Sequence, residues 1–307
     1  MNKQIFKKIL TLLAISAVCA GVFLTRSIET IKPLVEYEGL CSNGDVFLHG
    51  INVNQGAASL IKTKDMTVLI DTGEEAEGRK LLNYLKGEKV CKIDYLFITH
   101  PHKDHYGAVP VILKEIEVDR VFIPLIPEHL NNVDISWQDM LSTLEKNNVE
   151  ISVVNEKQDF PLGKGVVLQL LGPFLEDARS LNDLSMCFKL QAGKRSFIIT
   201  GDGEKKTEEA LLKEDIDADV LFAGHHGSKT SSNDFFLERV TPEISFISVG
   251  FANTHNLPDR VHIDNLSKYG RVYRSDLDGS VVFVCKRDEI SVFTEKERGK
   301  SSCRKAL

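Results

Sequence analysis

An α/β fold is predicted from this sequence by three observations. Short apolar runs alternate with stretches whose apolar residues recur at helical spacing, the order expected when strands and helices take turns along the chain. Several of these runs close in Asp, His and Gly, and the carboxyl ends of strands are where α/β sheets keep their chemistry. With 307 residues, 42% of them apolar and 27% charged, the chain has the material for one large core.

Residues 1–26 begin with Lys3, Lys7 and Lys8, continue with an apolar segment from Ile9 to Leu24, and close at Arg26. That order predicts a signal peptide or an N-terminal membrane anchor, and with it an extracytoplasmic protein, either secreted or held at the membrane by this segment. Residues 27–43 read as a linker, 44–295 as the folded domain, and 296–307 as a polar, basic tail without fixed structure. A formal net charge of −6 excludes a surface devoted as a whole to binding polyanions, and leaves a local basic groove open. Cys19, Cys41, Cys91, Cys187, Cys285 and Cys303 form no C-x-x-C pair, which argues against a zinc ribbon or a thioredoxin-type motif. Cys91 and Cys187 lie in apolar runs and are expected in the core.

Within the folded domain, strands are expected at Val46–Val53, Ala57–Ile61 and Thr67–Ile70, with Lys64-Asp65 turning between the last two. A helix over Glu74–Lys86 leads to a strand at Ile93–Thr99. The helix from His105 to Glu117 has Pro110 early, where a missing N–H is tolerated. A strand at Arg120–Ile123, a helix at Ile135–Lys146 that buries Trp137, and a strand at Ile151–Val154 follow. Strands are then expected at Val166–Leu171, Met186–Leu190 and Phe197–Thr200, a helix at Glu204–Leu212, and strands at Asp219–Ala223 and Ile244–Val249. A helix over Val261–Tyr269 and a strand at Gly279–Cys285 complete the order.

The densest chemistry is the run T-H-P-H-K-D-H-Y-G, Thr99 to Gly107. Three imidazoles and a carboxylate this close suit divalent metal ions, which accept nitrogen lone pairs and anionic oxygen together. One loop of this kind can feed two adjacent ions, His100 and His102 the first, Asp104 and His105 the second. Asp71, in Asp-Thr-Gly at the end of an apolar run, reads as a carboxylate that orients a metal-bound histidine, or as a turn cap. Asp202 sits in Gly-Asp-Gly after another apolar run. His225 and His226 sit in Gly-His-His-Gly-Ser after a third; one of the two is expected to ligate metal or to donate a proton to a leaving oxygen. Ser228 lacks the G-x-S-x-G setting of a nucleophile.

The H-x-H-x-D-H run resembles the signature of the metallo-β-lactamase superfamily. The resemblance implies the metallo-β-lactamase fold, an α/β protein of α+β type built as a four-layer αββα sandwich, with a metal site along one edge and hydrolytic activity on β-lactams, thioesters or phosphodiesters. It also implies that Asp202 bridges two cations. Ile51-Asn-Val-Asn-Gln-Gly-Ala-Ala58, Val68-Leu-Ile-Asp-Thr-Gly73 and the H-H-G-S run are similar to the hydrolase domain of the ComEC competence (DNA-uptake) family. That family typically shows L-D-V-G-Q-G-D-A in the first stretch, from which Asn52, Asn54 and Ala57 depart. Where many superfamily members place a further metal-binding histidine, this chain has Asn182, Asp183 and Ser185, and the competence branch is similar in carrying Asn and Ser there. The branch's N-x-Y-G-H-P loop aligns Leu257 with its histidine and leaves His255 two residues earlier. Asn182, Asp183 and His255 are therefore candidate replacement ligands.

These readings lead to a metal-dependent hydrolase using one or two divalent metal ions, Zn or Mn. Asp104 would orient or deprotonate the attacking water besides ligating, and His225 or His226 would stabilise the developing charge or protonate the leaving group. The resemblance implies a phosphodiester substrate, with nucleic acid as a candidate partner. Lactams, thioesters, lactones and cell-envelope esters are alternatives, and Leu257 with the absent histidine leaves a non-catalytic metal-binding protein as a third. Arg179, Lys189, Lys194, Lys205, Lys206 and Lys229 are available for phosphate contacts.

Overall fold

The computed structural model describes residues 33, 44–130 and 132–297, and the backbone of residues 304–305. The expected signal or anchor, nearly all of the linker, and Cys19, Cys41 and Cys303 lie outside the described residues. Among the described residues, β1 (Val46–Gly50), β2 (Ser59–Lys62), β3 (Thr67–Ile70), β4 (Lys92–Phe97), β5 (Glu117–Pro124) and β6 (Glu150–Val154) follow one another in a first sheet. A second sheet holds β7 (Gln158–Gly163), β8 (Val166–Gly172), β9 (Cys187–Ala192), β10 (Arg195–Ile199), β11 (Val220–Ala223), β12 (Ile244–Ile247) and β13 (Arg271–Arg274). The chain then returns to the first sheet as β14 (Val281–Lys286), β15 (Glu289–Thr294) and β16 (Arg304–Lys305), β14 pairing with β1. Each sheet opens antiparallel and turns parallel, from β3 to β6 in one and from β10 to β13 in the other.

The period of two along single strands sets the layers. In β3, Val68 and Ile70 face the cluster between the sheets, while Leu69 turns outward. In β11, Val220 and Phe222 face that same cluster, while Leu221 and Ala223 turn to the other outer layer. Outside the first sheet, Leu81, Leu82 and Leu85 of α1 (Gly78–Gly87) are buried with Trp137, Met140 and Leu144 of α4 (Ile135–Lys146); between these helices lie α2 (Lys103–Tyr106) and α3 (Val109–Ile112). Outside the second, α5 (Lys205–Leu211), α6 (Asp234–Val240) and α7 (Arg260–Leu266) bury Leu211, Phe236, Leu237, Val240 and Leu266. The result is the αββα sandwich. Trp137 is a packing residue, edge-on to Tyr106 at 5.0 Å.

Four expectations need correction. The helix read from His105 to Glu117 is two short ones, because Ala108 N–H donates to the Gly73 carbonyl (3.1 Å) and the chain presses against Glu74 and Glu75 at Gly107, where a Cβ would come within 2.7 Å of the Glu75 nitrogen. Strands β7, β13 and β15 and helix α6 were not expected; β7 and β13 are edges of the second sheet, where one-sided burial weakens the apolar signal and Pro161 is tolerated. Cys91 is exposed rather than in the core, while Cys187 is buried. The tail contributes strand β16, whose backbone pairs with Ser291 and Val292.

At the end of β1 the two sheets are in close contact. A Cβ on Gly50 would lie 2.3 Å from Cε1 of Phe246, a ring that is itself buried between the sheets. Gly50→Ala is expected to lower stability by about 1–3 kcal/mol, the usual range for overpacking, read as a lower urea midpoint with an unchanged slope.

Candidate metal centre

The site is assembled on Asp71, the residue that follows β3. Its backbone takes φ 61°, in the left-handed region, and its N–H donates to the Phe97 carbonyl of the adjacent parallel strand β4 (2.8 Å). That places a buried carboxylate beneath the loop that leaves β4. Asp71 Oδ1 accepts the Thr99 N–H (2.8 Å), and Oδ2 accepts both the Thr99 hydroxyl (2.8 Å) and the His105 Nδ1–H (2.7 Å). With its own proton given to Asp71, Thr99 Oγ1 accepts from His100 Nδ1 at 3.0 Å. Two imidazoles thereby have Nδ1 fixed as the donor and Nε2 left bare.

Those bare nitrogens meet residues from the second sheet. Asp202, after β10, has Oδ1 3.3 Å from His105 Nε2 and Oδ2 3.8 Å from His100 Nε2. His226, after β11, donates Nδ1–H to the Ser248 carbonyl (2.9 Å), so its Nε2 is also bare; it lies 3.1 Å from Asp104 Oδ2 and 3.5 Å from Asp202 Oδ2. His100 Nε2 is 2.9 Å from His102 Nδ1. Ligand atoms of Asp104, His105, Asp202 and His226 lie within 4.8 Å of one another, as do those of His100, His102 and Asp202. Asp202 belongs to both groups, so the geometry is that of two adjacent cation sites sharing one carboxylate.

The donor set fits divalent cations. Lone pairs face carboxylates, acceptor against acceptor, and His105 Nε2 is buried with no hydrogen-bond partner. Absent a cation, protons must take its place. Burial acts to lower His226, yet Asp202 and Asp104 outweigh it and push the ring up to about 10. Burial likewise acts to lower His105, and Asp202, Asp71 and Asp104 together raise it well above the ordinary imidazole value. Asp202 shows the reverse: burial would raise it, and His226 and His105 hold it well below the carboxylate range. A cation bound by these atoms removes the need for those protons. Nitrogen and oxygen ligands of this mixture serve Zn and Mn alike.

Three of the remaining sequence candidates, His225, Asp183 and His255, lie outside both groups. His225 lies outside both groups; its Nδ1 is 3.0 Å from both Glu204 Oε1 and Thr230 Oγ1, so of the two adjacent histidines it is His226 that joins the cluster. Both take positive φ, 49° and 52°, strain of the kind that turns consecutive rings in different directions. Asn182 is buried with Oδ1 unpartnered. Asp183 belongs to neither group, because Oδ2 accepts the Arg179 N–H (2.7 Å). His255 belongs to neither group and is exposed: the Asn253 side chain ties the backbone of Gly250, His255 and Leu257 into a turn that leaves His255 at the surface. The sequence reading missed Thr99, Glu204 and Ser248 as supports. Thr99 sat in plain view beside the histidines, whereas the Ser248 contribution is a carbonyl, which no side-chain pattern reveals.

Fold and site together define a metal-dependent hydrolase. Residues 51–250 match the family described as the metallo-beta-lactamase superfamily, and the chain belongs to that superfamily. Among curated proteins it is similar to ComE operon protein 3 of Bacillus subtilis, 29% identical over 80% of this chain and 34% of that protein. It is also similar to Recombination protein 2 of Haemophilus influenzae, 28% identical over 71% of this chain and 26% of that one. The chain thus spans about a third or less of the length of these relatives. Among solved structures, the metallo-beta-lactamase fold protein YhfI of Bacillus subtilis superposes with a TM-score of 0.51 at 14% identity, covering 78% of this chain and 99% of that one; it shares the fold.

Metal analysis of purified variants separates the roles assigned here. His226→Ala is expected to lose bound metal, His225→Ala to retain it, and Asp71→Asn to weaken metal affinity roughly 10- to 100-fold, the range for residues that orient metal ligands.

Proposed function

We propose that this protein is an extracytoplasmic phosphodiesterase that hydrolyses nucleic acid with one or two divalent ions, Zn or Mn, at the His–Asp cluster. The observation that carries the reading is the sharing of Asp202 by two ligand groups, an arrangement suited to clamping both oxygens of an in-line displacement at phosphorus. Similarity to proteins named for competence and recombination supports nucleic acid as the substrate class, and the order of charge and apolar residues in 1–26 supports export or membrane attachment.

Bound cations would supply an acidified water and a positive charge beside the phosphoryl oxygens. His100, His102, Asp104, His105, Asp202 and His226 would hold them. Asp104 is the carboxylate of the cluster that reaches solvent, its side chain 24% exposed against 5% for Asp202, so it is the one placed to orient water and accept its proton. The half-buried His225 stands one residue from His226 at the rim. Glu204 and Thr230 hold its Nδ1–H, so donation to a leaving oxygen would come from the doubly protonated ring, by loss of the second proton from its other nitrogen.

The full chain, purified in mild detergent and loaded with Mn²⁺ or Zn²⁺, is expected to hydrolyse bis-p-nitrophenyl phosphate and oligonucleotides, with Asp104→Asn lowering turnover by about 10²-fold or more. Turnover of nitrocefin or a thioester in their place would move the substrate class. Two metal ions per chain with no ester hydrolysed at all would make the protein a metal-dependent binder.

A further inference from the structure

Three loops that hold the metal centre continue into a second feature. The loop before β9 carries Arg179 and Asp183, and then Ser185, whose Oγ accepts the Asp202 N–H (3.1 Å). The segment after β10 carries Asp202 and then Glu204 and Lys205, and the loop after β11 carries His226 and then Lys229 and Thr230. Of these residues Arg179, Asp183, Glu204, Lys205, Lys229 and Thr230 line one open cleft of about 710 Å³, beside the metal ligands rather than among them. The Thr230 hydroxyl donates to Glu204 Oε1 (2.9 Å), which also faces His225, so the wall of the cleft and the rim of the metal centre are the same side chains.

Charge in the cleft is unevenly matched. Its acids are Asp183, Glu204 and Glu209. Asp183 is buried and holds the Arg179 N–H, Glu204 is engaged by Thr230 and His225, and Glu209 lies 3.8 Å from Lys205. Lys206 is taken by Asp177 at 2.7 Å. The Arg179 guanidinium and the Lys229 ammonium enter no ion pair among the described residues. Both are set on fixed backbone, since Asp259 accepts the Lys229 N–H (2.8 Å) just as Asp183 accepts that of Arg179. Two cations that enter no ion pair, set on fixed backbone beside the rim of the candidate metal centre, are suited to contacts with a strand of phosphates.

We propose that this cleft seats the phosphates flanking the scissile bond of a nucleic-acid strand, with Arg179 and Lys229 as the contacts. The assignment rests on the hydrolase reading and adds the path by which its substrate leaves the metal centre. A net charge of −6 does not exclude such a substrate, because phosphate contacts need only a few cations placed along its path.

Binding of a fluorescein-labelled, cleavage-resistant phosphorothioate oligo(dT) to the Mn²⁺-loaded full chain, followed by anisotropy over a series of salt concentrations, tests it without turnover. Arg179→Ala/Lys229→Ala is expected to weaken binding about tenfold and to flatten the slope of log affinity against log salt by about 1.4, two contacts at about 0.7 each on a single strand. Lys92→Ala/Arg120→Ala, at the start of β4 and in β5, is expected to bind as wild type does. Wild-type affinity and slope in the Arg179/Lys229 variant, or no binding of oligo(dT) by the wild-type chain, would overturn the proposal. Hydrolysis of bis-p-nitrophenyl phosphate by the Mn²⁺-loaded wild-type chain reports separately on the hydrolase reading, so the two fail distinguishably.

Discussion

The buried carboxylate of Asp71 is the constraint on which the rest of the site depends. It has two oxygens and faces three donors, the amide and hydroxyl of Thr99 and the Nδ1–H of His105. An isolated carboxylate at this depth would be costly, and burial does raise it above its ordinary value, with His105 pulling the other way. The gain is directional. By fixing Thr99 as a donor, Asp71 makes Thr99 an acceptor for His100, so one carboxylate determines which nitrogen two different imidazoles present to the pocket. Removing it would leave rings that still fit but no longer agree on a tautomer.

The second half of the molecule reaches the same pocket through a parallel device. His226 is fixed by the carbonyl of Ser248, which follows β12. The Ser248 hydroxyl donates to the Gly56 carbonyl (2.9 Å), and the next amide, Ala57 N–H, donates to the carbonyl of Asp104 (3.1 Å). The stretch Asn54-Gln-Gly-Ala57 therefore acts as a strap from the first sheet's loops to the second's. Its part is played by the Gly56 carbonyl and the Ala57 N–H rather than by side chains. Lys80 Nζ donates to the side-chain oxygens of both Asn52 and Asn54, so amides at those positions have an occupation of their own.

Much of this was legible before any coordinates. The carboxyl ends of β3, β4, β10 and β11 were marked by Asp71, the histidine run, Asp202 and the paired histidines, because polar residues that end apolar runs are conspicuous and their spacing along the chain is fixed by strand length. Three things were not legible. Edge strands β7 and β13 bury too little to print a period. The direction of a ring depends on φ, and nothing in Gly-His-His-Gly says that the second histidine rather than the first turns inward. Asn182, Asp183 and His255 stand where related sequences keep histidines, yet a position in a loop does not fix its aim: Asn182 is buried with Oδ1 unpartnered, Asp183 caps the Arg179 backbone, and the Asn253 turn carries His255 to the surface.

The cluster also bears on how the two sheets hold together. His100, His102, Asp104 and His105 come from the first sheet, whereas Asp202 and His226 come from the second, so any cation held here cross-links the halves at the open edge of the sandwich. The apolar cluster between the sheets cannot do this at the rim, where Thr99, Ser185 and Asp202 replace Phe97, Phe188 and Phe197. Protein contacts alone do span it, as in the Met186 N–H donated to the Thr99 carbonyl (3.0 Å), but the facing lone pairs of His105, His226 and Asp202 repel until a positive charge lies between them. Protons supply that charge only by taking up the nitrogens that chemistry needs bare. A cation held by these atoms would therefore favour both the packing of the two halves at this edge and the bare nitrogens that hydrolysis requires.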